Sequence, residues 1–572
     1  MVNITIDGQK VSVPKTATVL EACRDIGIKI PTLCYHPELR PEGACRVCVV
    51  EVEGARTLVA SCVYPVNEGM VVRTNTAAVR EARKAVVELL LANHPTDCLS
   101  CQRNGNCELQ TIAADLGIRE VRFDGERKRY PLDKSNPALV RDPEKCILCG
   151  RCIRACSERQ GVHVYSFVNR GFDTTVAPAF NVGLGDAACT YCGQCAAVCP
   201  TGAIVEKDDT AAVWAAIADP KKHVIVQTAP SVRVGLGDAL GLEHGALVTG
   251  KMVAALRRMG FDQVFDTDFT ADLTIMEEGH EFIHRLTTGG TLPMITSCSP
   301  GWVNYIELFY PELLAHLSTA KSPQQMFGAL SKTFYAEKAG IDPKDIVSVS
   351  MMPCTAKKVE AQREEMGNGE YQDVDYVLTT REFGRMIKEA GLDFANLPDE
   401  EFDNPMGIST GAGVIFGASG GVMEAALRTV AEVVTGTTLE NIDFTDVRGL
   451  TGIKEAQVTL NGITVKLAVA HTLANAGKIM DAVRKGEADY HFIEIMACPG
   501  GCIGGGGQPI PVDADVRQQR MDALYASDIQ HEFRKSHDNP AIKELYDTWL
   551  GKPNGEKAHH LLHTHYKPQN KG

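Results

Sequence analysis

Apolar and polar residues alternate along the first part of the chain. The segments VNITIDG, KVSV, VCVVEVEG and MVVRT have the period of two that is typical of half-buried strands, whereas TVLEACRDIGI has the period of a helix. This pattern predicts a small α+β domain in which a helix crosses a sheet. The next apolar stretch, EARKAVVELLLANHP, predicts an amphipathic helix that ends at Pro95.

From residue 209 onward the pattern changes. Helical segments such as KMVAALRRMG, REFGRMIKEAG and GVMEAALRTVAEVV alternate with short apolar runs, among them HVIVQTAP, QVFDTDF, IVSVSMMP and VKLAVAHTL. Strands that alternate with helices form largely parallel sheets, because each crossover helix packs on a face of the sheet. We therefore expect an α/β domain with mixed, largely parallel sheets flanked by helices.

Composition narrows the class of protein. The chain has 572 residues, of which 44% are hydrophobic and 23% charged, as is ordinary for a globular protein of several domains. Its net charge of −14 has the wrong sign for binding nucleic acid or an anionic membrane. No run approaches the roughly 18 apolar residues of a membrane span, and the start MVNITIDGQKVSVPK lacks the pattern of an export signal. We expect a cytoplasmic protein.

Twenty cysteines are the main chemical feature of the sequence. Because the cytosol keeps thiols reduced, metal ligation is the first hypothesis. The first domain contains Cys34, Cys45, Cys48 and Cys62, and four thiolates can bind either zinc or an iron–sulfur cluster. Cys23 lies in the helical segment without a partner at ligand spacing, so we expect it in the core.

A second set follows the amphipathic helix. His94, Cys98, Cys101 and Cys107 lie close together in the sequence. One imidazole and three thiolates can hold zinc or a [4Fe–4S] cubane, and the spacing does not decide between them.

The third set identifies the metal. Two runs of the form C-x-x-C-x-x-C-x-x-x-C follow each other, which is the bacterial ferredoxin pattern. In that pattern three cysteines of each run hold one [4Fe–4S] cubane and the fourth crosses to the other. The predicted ligand sets are Cys146, Cys149, Cys152 and Cys199, and Cys156, Cys189, Cys192 and Cys195. The first run departs from the usual form in having Ser157 where proline is common.

The remaining cysteines lie far apart, in TSCSPGW, MMPCTAKK and FIEIMACPGGCIGGGGQP. Ligands that come from loops after separate strands are typical of an active site at a sheet edge. Cys498 and Cys502 are four residues apart, so one helical turn would let both face one metal centre. We interpret Gly504 to Gly507 as backbone that approaches a bulky cofactor closely, rather than as a linker.

These three segments resemble the signature motifs of the [FeFe]-hydrogenases, and the cysteine-rich front end resembles that of the long clostridial type. The resemblance covers essentially the whole chain. It implies four domains: a β-grasp [2Fe–2S] ferredoxin-like domain (1–79), a helical His/Cys3 [4Fe–4S] domain (80–125), a 2[4Fe–4S] ferredoxin-like domain (126–208) and a catalytic domain (209–572). It also implies reversible oxidation of H2 in anaerobic metabolism.

By this resemblance, the catalytic cofactor is the H-cluster, a [4Fe–4S] cubane joined to a diiron unit with CO, cyanide and azadithiolate ligands. Cys354, Cys498 and Cys502 would bind the cubane, and Lys357 would face a cyanide. A proton path would run through Glu278, Ser318 and Glu281. The residues implied to line the diiron pocket are Pro230, Ser231, Ser322, Gln324, Met352, Phe416 and Met496.

One motif departs from the family. Where TSCCPGW is usual, this chain has Cys298 followed by Ser299. In the family the first of these positions relays protons and the second binds the cubane. Either Ser299 ligates iron as an alkoxide, or a loop shift lets Cys298 bind iron while Ser299 or a water carries the proton. We favour the second alternative, because a serine hydroxyl is much harder to deprotonate than a thiol.

The N-terminal cysteine-rich region also indicates which protein exchanges electrons with this chain. Its resemblance to an electron-entry subunit of respiratory dehydrogenases suggests exchange with ferredoxin, with an NAD(P)H-oxidising flavin and iron–sulfur subunit, or with both. No dinucleotide fingerprint follows a strand here, so nicotinamide chemistry would belong to a partner. The alternative function is a hydrogen sensor or a non-catalytic iron–sulfur protein of the same ancestry. The His-rich end, HHLLHTHYK, is interpreted as a packed or frayed terminal segment.

Overall fold

The computed structural model describes residues 1–569 as two compact units. The first contains residues 1–158, 163–187 and 198–205, and the second contains residues 159–162, 188–197 and those from 206 onward. The predicted 126–208 segment thus contributes to both units. None of the described helices is long and apolar enough to span a membrane.

The first unit begins with a five-stranded sheet in the order β2-β1-β5-β3-β4. The helix α1 packs on this sheet and begins with a capping box, in which Thr18 and Glu21 satisfy each other's backbone N–H groups. Cys23 is fully buried in the core of this sheet, as expected. The elements are β1 (Val2–Ile6), β2 (Gln9–Val13), α1 (Val19–Asp25), β3 (Val49–Val52), β4 (Val59–Ala60) and β5 (Val71–Arg73).

The rest of the first unit is made of short helices and two small two-stranded sheets. Its longest helix, α2, buries Val87 in a cluster that includes Leu33 and Leu109. This helix corresponds to the predicted amphipathic segment. The elements are α2 (Ala77–Ala92), α3 (Glu108–Asp115), β6 (Leu139–Arg141), α4 (Arg151–Arg154), β7 (Ser166–Val168), β8 (Thr175–Ala177) and β9 (Ile204–Glu206).

The second unit contains two four-stranded sheets. The first, in the order β11-β10-β13-β14, is entirely parallel, and the second, β12-β17-β16-β15, is parallel except for the β15–β16 hairpin. The predicted mixed, largely parallel arrangement is confirmed. The strands are β10 (His223–Thr228), β11 (Gln263–Asp266), β12 (Met294–Ile295), β13 (Ile346–Met352), β14 (Tyr376–Thr379), β15 (Ile453–Leu460), β16 (Ile463–His471) and β17 (Phe492–Met496).

Helices surround both sheets. The longest, α9, is buried along most of its length; the Asp266 side chain caps its first turn, and Gly289 in a left-handed conformation ends it. The helices are α5 (Gln194–Ala197), α6 (Thr210–Ala218), α7 (Leu236–Ala239), α8 (Thr249–Met259), α9 (Thr267–Thr288), α10 (Pro300–Phe309), α11 (Pro323–Leu330), α12 (Ala336–Ala339), α13 (Ala356–Glu360), α14 (Thr380–Glu389), α15 (Gly411–Val414), α16 (Gly421–Thr435), α17 (Leu473–Lys485), α18 (Ala514–Gln530), α19 (Pro540–Leu545) and α20 (Glu556–Leu562).

The glycine run of the second unit packs against other backbone. A Cβ on Gly505 would lie 2.2 Å from the Pro353 carbonyl oxygen, and one on Gly506 would lie 2.3 Å from that of Cys192. Gln194 Nε2 also donates to the Gly504 carbonyl at 3.0 Å. These glycines therefore allow the 188–197 loop to approach this segment, a role that the sequence did not reveal.

We expect Gly506→Ala to loosen this packing. The added methyl would clash with the Cys192 carbonyl, so backbone must shift at a cost of ~1–3 kcal/mol. The apparent Tm of the anaerobically purified protein should fall. Gly125→Ala is a matched control, because a Cβ there meets no atom within 4 Å. An unchanged Tm for Gly506→Ala would contradict the packing argument.

Candidate iron–sulfur and catalytic sites

The four cysteines of the first domain lie together. The Cys45 N–H donates to Cys34 Sγ at 3.4 Å, and the thiols of Cys48 and Cys62 are also 3.4 Å apart. The side chain of Cys34 interacts with those of both Cys45 and Cys62, which joins the two pairs. Four largely buried thiols in one group fit a [2Fe–2S] cluster.

The second set has a free imidazole nitrogen. His94 Nδ1 contacts the Pro95 carbonyl at 2.7 Å, so Nδ1 carries the proton and Nε2 is available as a ligand. Nε2 is buried and has no hydrogen-bond partner. Burial lowers the pKa of His94, which favours the neutral, metal-binding form. Cys101 and Cys107 are electrostatic neighbours, and Cys98 begins the turn that ends at Cys101.

The first predicted cubane set lines one cavity of the first unit. Cys146, Cys149, Cys152 and Cys199 all contribute to its wall. Burial raises the pKa of Cys146 to about 11 and that of Cys149 to about 12, and this desolvation outweighs the opposing effect of nearby cations such as Arg141 and Arg151. A cluster of positively charged iron would offset this desolvation.

The two ferredoxin runs have the same local geometry. In each, the residue two positions after the first cysteine donates its N–H to that sulfur at 3.4 Å, namely Leu148 to Cys146 and Tyr191 to Cys189. Leu148 and Tyr191 both have positive φ. The similar spacing in the sequence thus corresponds to a structural repeat. The second ligand set, with Cys156, stays a prediction from spacing.

The catalytic-domain cysteines meet at the carboxyl ends of strands. Cys298 follows β12, Cys354 follows β13, and Cys498 follows β17, and all three line one cavity with Cys502. Burial raises the pKa of each of these thiols, to about 12 for Cys502. The predicted convergence of loops after separate strands is confirmed. Throughout residues 1–569, no three His, Cys, Asp or Glu side chains gather tightly enough to hold a single metal ion.

The predicted helical turn between Cys498 and Cys502 is wrong. The intervening Gly500 and Gly501 have φ values of 72° and 94°, and only a short 3-10 turn begins at Cys502. Left-handed glycines reverse the chain here, so a tight loop rather than a helix brings the two thiols together.

Cys298 and Ser299 have different surroundings. The Cys298 thiol has Glu278, Lys357 and Cys502 as electrostatic neighbours. Ser299 Oγ instead accepts a hydrogen bond from the Ala497 N–H at 3.2 Å, next to Cys498 in the chain. Both residues line the cavity.

Most of the predicted pocket residues line this cavity. Two do not: the Ser231 hydroxyl is buried without a partner, and Ser322 Oγ donates to Glu360 Oε2 at 2.9 Å. Thr267, which the sequence did not single out, also contributes to the wall. The predicted residues that do line the cavity are Pro230, Gln324, Met352, Phe416 and Met496.

The Lys357 ammonium is held by three acceptors. It donates to Glu360 Oε2 at 2.7 Å, to Ser322 Oγ at 2.8 Å and to the Cys298 carbonyl at 3.1 Å. Gln324 Nε2 also donates to Glu360, at 3.0 Å. Glu360 thus balances a buried cation at the cavity wall. It was missed in the sequence, although its position three residues after Lys357 on a helix is a usable signal.

Two buried carboxyl groups of α9 stand on either side of one hydroxyl. Ser318 Oγ donates to Glu281 Oε2 at 3.0 Å and also interacts with the Glu278 carboxyl. Burial raises the pKa of Glu278 to about 8, and Glu281 adds to the rise. Glu281 also pairs with Arg285 at 2.5 Å. A carboxyl group that is half protonated near neutral pH can accept and release protons.

Family models match nearly the whole chain. The model described as "Iron only hydrogenase large subunit, C-terminal domain" matches residues 222–506, and "Iron hydrogenase small subunit" matches residues 514–569. Upstream, a 2Fe-2S iron-sulfur cluster binding domain matches residues 1–77. The iron-sulfur binding region of NADH-ubiquinone oxidoreductase-G matches 83–122, and a 4Fe-4S dicluster domain matches 145–203.

Similar proteins agree with these matches. The chain is 53% identical to the NADP-reducing hydrogenase subunit HndD of Solidesulfovibrio fructosivorans over 99% of both chains. The chain belongs to the iron-only hydrogenases. This hydrogenase is also 42% identical to iron hydrogenase 1 of Clostridium pasteurianum, over 99% of this chain and 100% of the relative. A variant of the apo [FeFe]-hydrogenase HydA1 from Chlamydomonas reinhardtii matches 63% of this chain and 99% of its own, with 47% identity and a TM-score of 0.58.

Glu278→Gln tests the raised pKa. The folded protein binds this proton more tightly than the unfolded chain does, so wild-type stability should fall as pH rises from about 4.5 to about 8. Glutamine cannot ionise, so the variant should lose this part of the pH dependence of the free energy of unfolding, which is on the order of a few kcal/mol. Apparent Tm values at pH 6 and pH 9 measure it.

Glu243→Gln is the control for this experiment, because Glu243 is exposed. Turnover should also fall by about 100-fold or more in Glu278→Gln, since an amide cannot pass on a proton. Equal pH dependence in the variant and the wild type would show that Glu278 is not held protonated by burial.

Proposed function

We propose that this hydrogenase interconverts H2 with protons and electrons at an H-cluster bound in the cavity between Cys354, Cys498 and Cys502. The observation that carries the proposal is the meeting of these three distant thiols in one buried cavity, beside a buried ammonium and a Glu–Ser–Glu chain. When bound, the diiron unit supplies the metal centre at which H2 is split or formed.

The chain's own residues would position this group and keep water away from it. Pro230, Met352, Phe416 and Met496 give the cavity a mainly apolar wall. Lys357 would face a cyanide ligand as a fixed positive charge, and Glu360 and the other acceptors hold its ammonium in place. A fixed ammonium needs little reorganisation when negative charge develops.

Protons would move along the buried carboxyl groups. The Cys298 thiol would exchange a proton with Glu278, whose carboxyl then exchanges one with Glu281 through the Ser318 hydroxyl. Each transfer breaks one O–H or S–H bond and forms another, and no electron moves. The pKa of about 8 keeps Glu278 largely protonated at neutral pH while leaving the proton within reach of exchange.

We also propose that Ser299, rather than Cys298, stands at the fourth corner of the cubane. This reverses the preference drawn from the sequence, which rested on the weak acidity of a serine hydroxyl. Two observations support the reversal: Ser299 Oγ lies against the backbone that leads into Cys498, whereas the Cys298 thiol has Glu278 as an electrostatic neighbour. Cys298 thereby remains the relay.

Electrons would pass through one [2Fe–2S] and three [4Fe–4S] accessory clusters. The proposed domain division is the one drawn from the sequence, 1–79, 80–125, 126–208 and 209–572. We favour an NAD(P)H-oxidising subunit as the partner, because the 53% identical relative is named an NADP-reducing hydrogenase subunit. Ferredoxin is the alternative carrier. We place the protein in the cytoplasm because none of its twenty cysteines forms a disulfide.

A sensor or cluster-carrier role is the second candidate. Relatives named cytosolic iron-sulfur assembly component 3 share up to 33% identity with this chain, and the rat protein does so over 60% of it. The buried Glu278–Ser318–Glu281 chain favours catalysis, because a carrier needs no proton path.

The infrared spectrum of the maturated protein tests the proposed function. We expect CO and cyanide stretching bands together with H2-dependent reduction of a dye. Protein prepared without maturation is the control and should show neither. Bands without turnover would favour the sensor, and the absence of bands after maturation would refute the H-cluster.

The two loop residues can be separated in protein prepared without maturation. If Ser299 ligates, Cys298→Ala should keep the iron content and the EPR spectrum of the reduced cubane, whereas Ser299→Ala should change them. Ser299→Cys should keep the cubane and shift its EPR signal, because a thiolate replaces an oxygen ligand. Loss of cubane iron in Cys298→Ala but not in Ser299→Ala would reverse the assignment.

A further inference from the structure

The His-rich end of the chain packs against the proton path. The backbone after α20 runs beside residues 319–321, with the Lys321 N–H donating to the Leu562 carbonyl at 2.7 Å and the Thr564 N–H donating to that of Thr319 at 2.8 Å. This arrangement buries the side chain of His563. The predicted packed terminal segment therefore contains one enclosed imidazole.

Both ring nitrogens of His563 have partners. Nε2 lies 2.9 Å from Glu277 Oε2, and Nδ1 lies 2.8 Å from Thr319 Oγ1. The Glu277 carboxylate is fully buried and also accepts from the Tyr546 hydroxyl and, at 2.8 Å, from the Asn554 N–H. Because this carboxylate is an acceptor, Nε2 carries a proton and Nδ1 faces Thr319 as the exchangeable site.

Thr319 connects His563 to the path. Its Oγ1 lies 3.1 Å from Glu281 Oε2, and its N–H donates to the same oxygen at 3.0 Å. A hydroxyl has a single proton, which it can donate either to Glu281 or to His563 Nδ1. Glu281, Thr319, His563 and Glu277 therefore form one continuous hydrogen-bonded chain.

Glu281 has few other routes for a proton. Its residue is 9% exposed, and Arg285 occupies Oε1 while Ser318 and Thr319 donate to Oε2. On the far side of His563, the exposed ring of His559 stacks on it with centroids 4.6 Å apart. The imidazole thus lies between a shielded carboxyl group and the surface.

We propose that His563 accepts and returns protons at Glu281 through Thr319, as an outer station of the path. In the outward step Glu281 gives its proton to Thr319 Oγ1 as the threonine gives its own to His563 Nδ1. The resulting imidazolium pairs with Glu277, so the new charge is balanced within the protein. The inference rests on the proposed function, because it extends the Glu278–Ser318–Glu281 path.

Several charged or titratable groups face His563 and could contribute to the same pH dependence. They come from α9, from the 546–550 segment and from α20. The charged or titratable members are Glu277, Glu281 with its partner Arg285, Tyr546 and His559. The tests below therefore change the link at Thr319 as well as the imidazole.

The experiment uses the maturated full-length protein. His563→Gln keeps a polar side chain that cannot become a cation, and Thr319→Val removes the hydroxyl while keeping the shape. We expect both to lower turnover by at least about 10-fold and to change the pH profile of turnover in the same way, because both break the proton exchange between Glu281 and His563. The double variant should be no slower than either single one, because both changes break one route.

Two controls separate this effect from damage to the fold. Thr319→Ser restores a hydroxyl and should recover the wild-type profile, and His560→Gln changes an exposed histidine of the same segment and should leave it unaltered. CO and cyanide bands of wild-type position in every variant would show an intact active site. Such bands together with a wild-type pH profile in His563→Gln or Thr319→Val would overturn the inference. Missing bands in the wild type would instead refute the proposed function.

Discussion

Burial of several thiols around one cavity is the constraint on which the second unit depends. Cys354 follows one strand, whereas Cys498 and Cys502 lie in the loop after another, and burial penalises the ionised form of each thiol. Such a site favours binding of a positively charged iron cluster, because the cluster removes the penalty on all the thiolates at once. Because the strands are parallel, their carboxyl ends lie at the same edge of each sheet, and the loops that follow them meet at this cavity.

Three largely buried acid–base pairs balance charges at or near the cavity. Lys357 is neutralised by Glu360, Glu281 by Arg285, and Glu277 is paired with His563. Buried charges persist only when they are paired and hydrogen-bonded, and each of these pairs also involves a hydroxyl group from Ser318, Thr319 or Ser322. The hydrogen bonds that stabilise these charges also form a connected route for protons. The direction of proton transfer along this route depends on which carboxyl group is protonated.

The glycine run allows backbone to pack closely beside the cavity. Gly505 and Gly506 let the carbonyl of Pro353, just before Cys354, and the 188–197 loop approach within distances that no side chain would allow. This loop carries Cys192, which lines the same cavity as Cys498. A cysteine of the ferredoxin pattern and a cysteine of the catalytic domain therefore share one cavity wall.

The sequence by itself determined the class of the main elements and the spacing of the cysteines that are predicted to bind metal, because strand and helix periods and ligand spacing are local properties. The strands at residues 223–228 and 346–352, the helix that carries Glu278 and Glu281, and the repeated ferredoxin runs were all predictable. Only the tertiary structure decided that Glu360 balances Lys357, that left-handed glycines rather than a helix join Cys498 to Cys502, and that His563 reaches Thr319. The contact between Thr319 and His563 joins residues 244 positions apart, and no local pattern specifies which distant side chains a fold will bring within hydrogen-bonding distance.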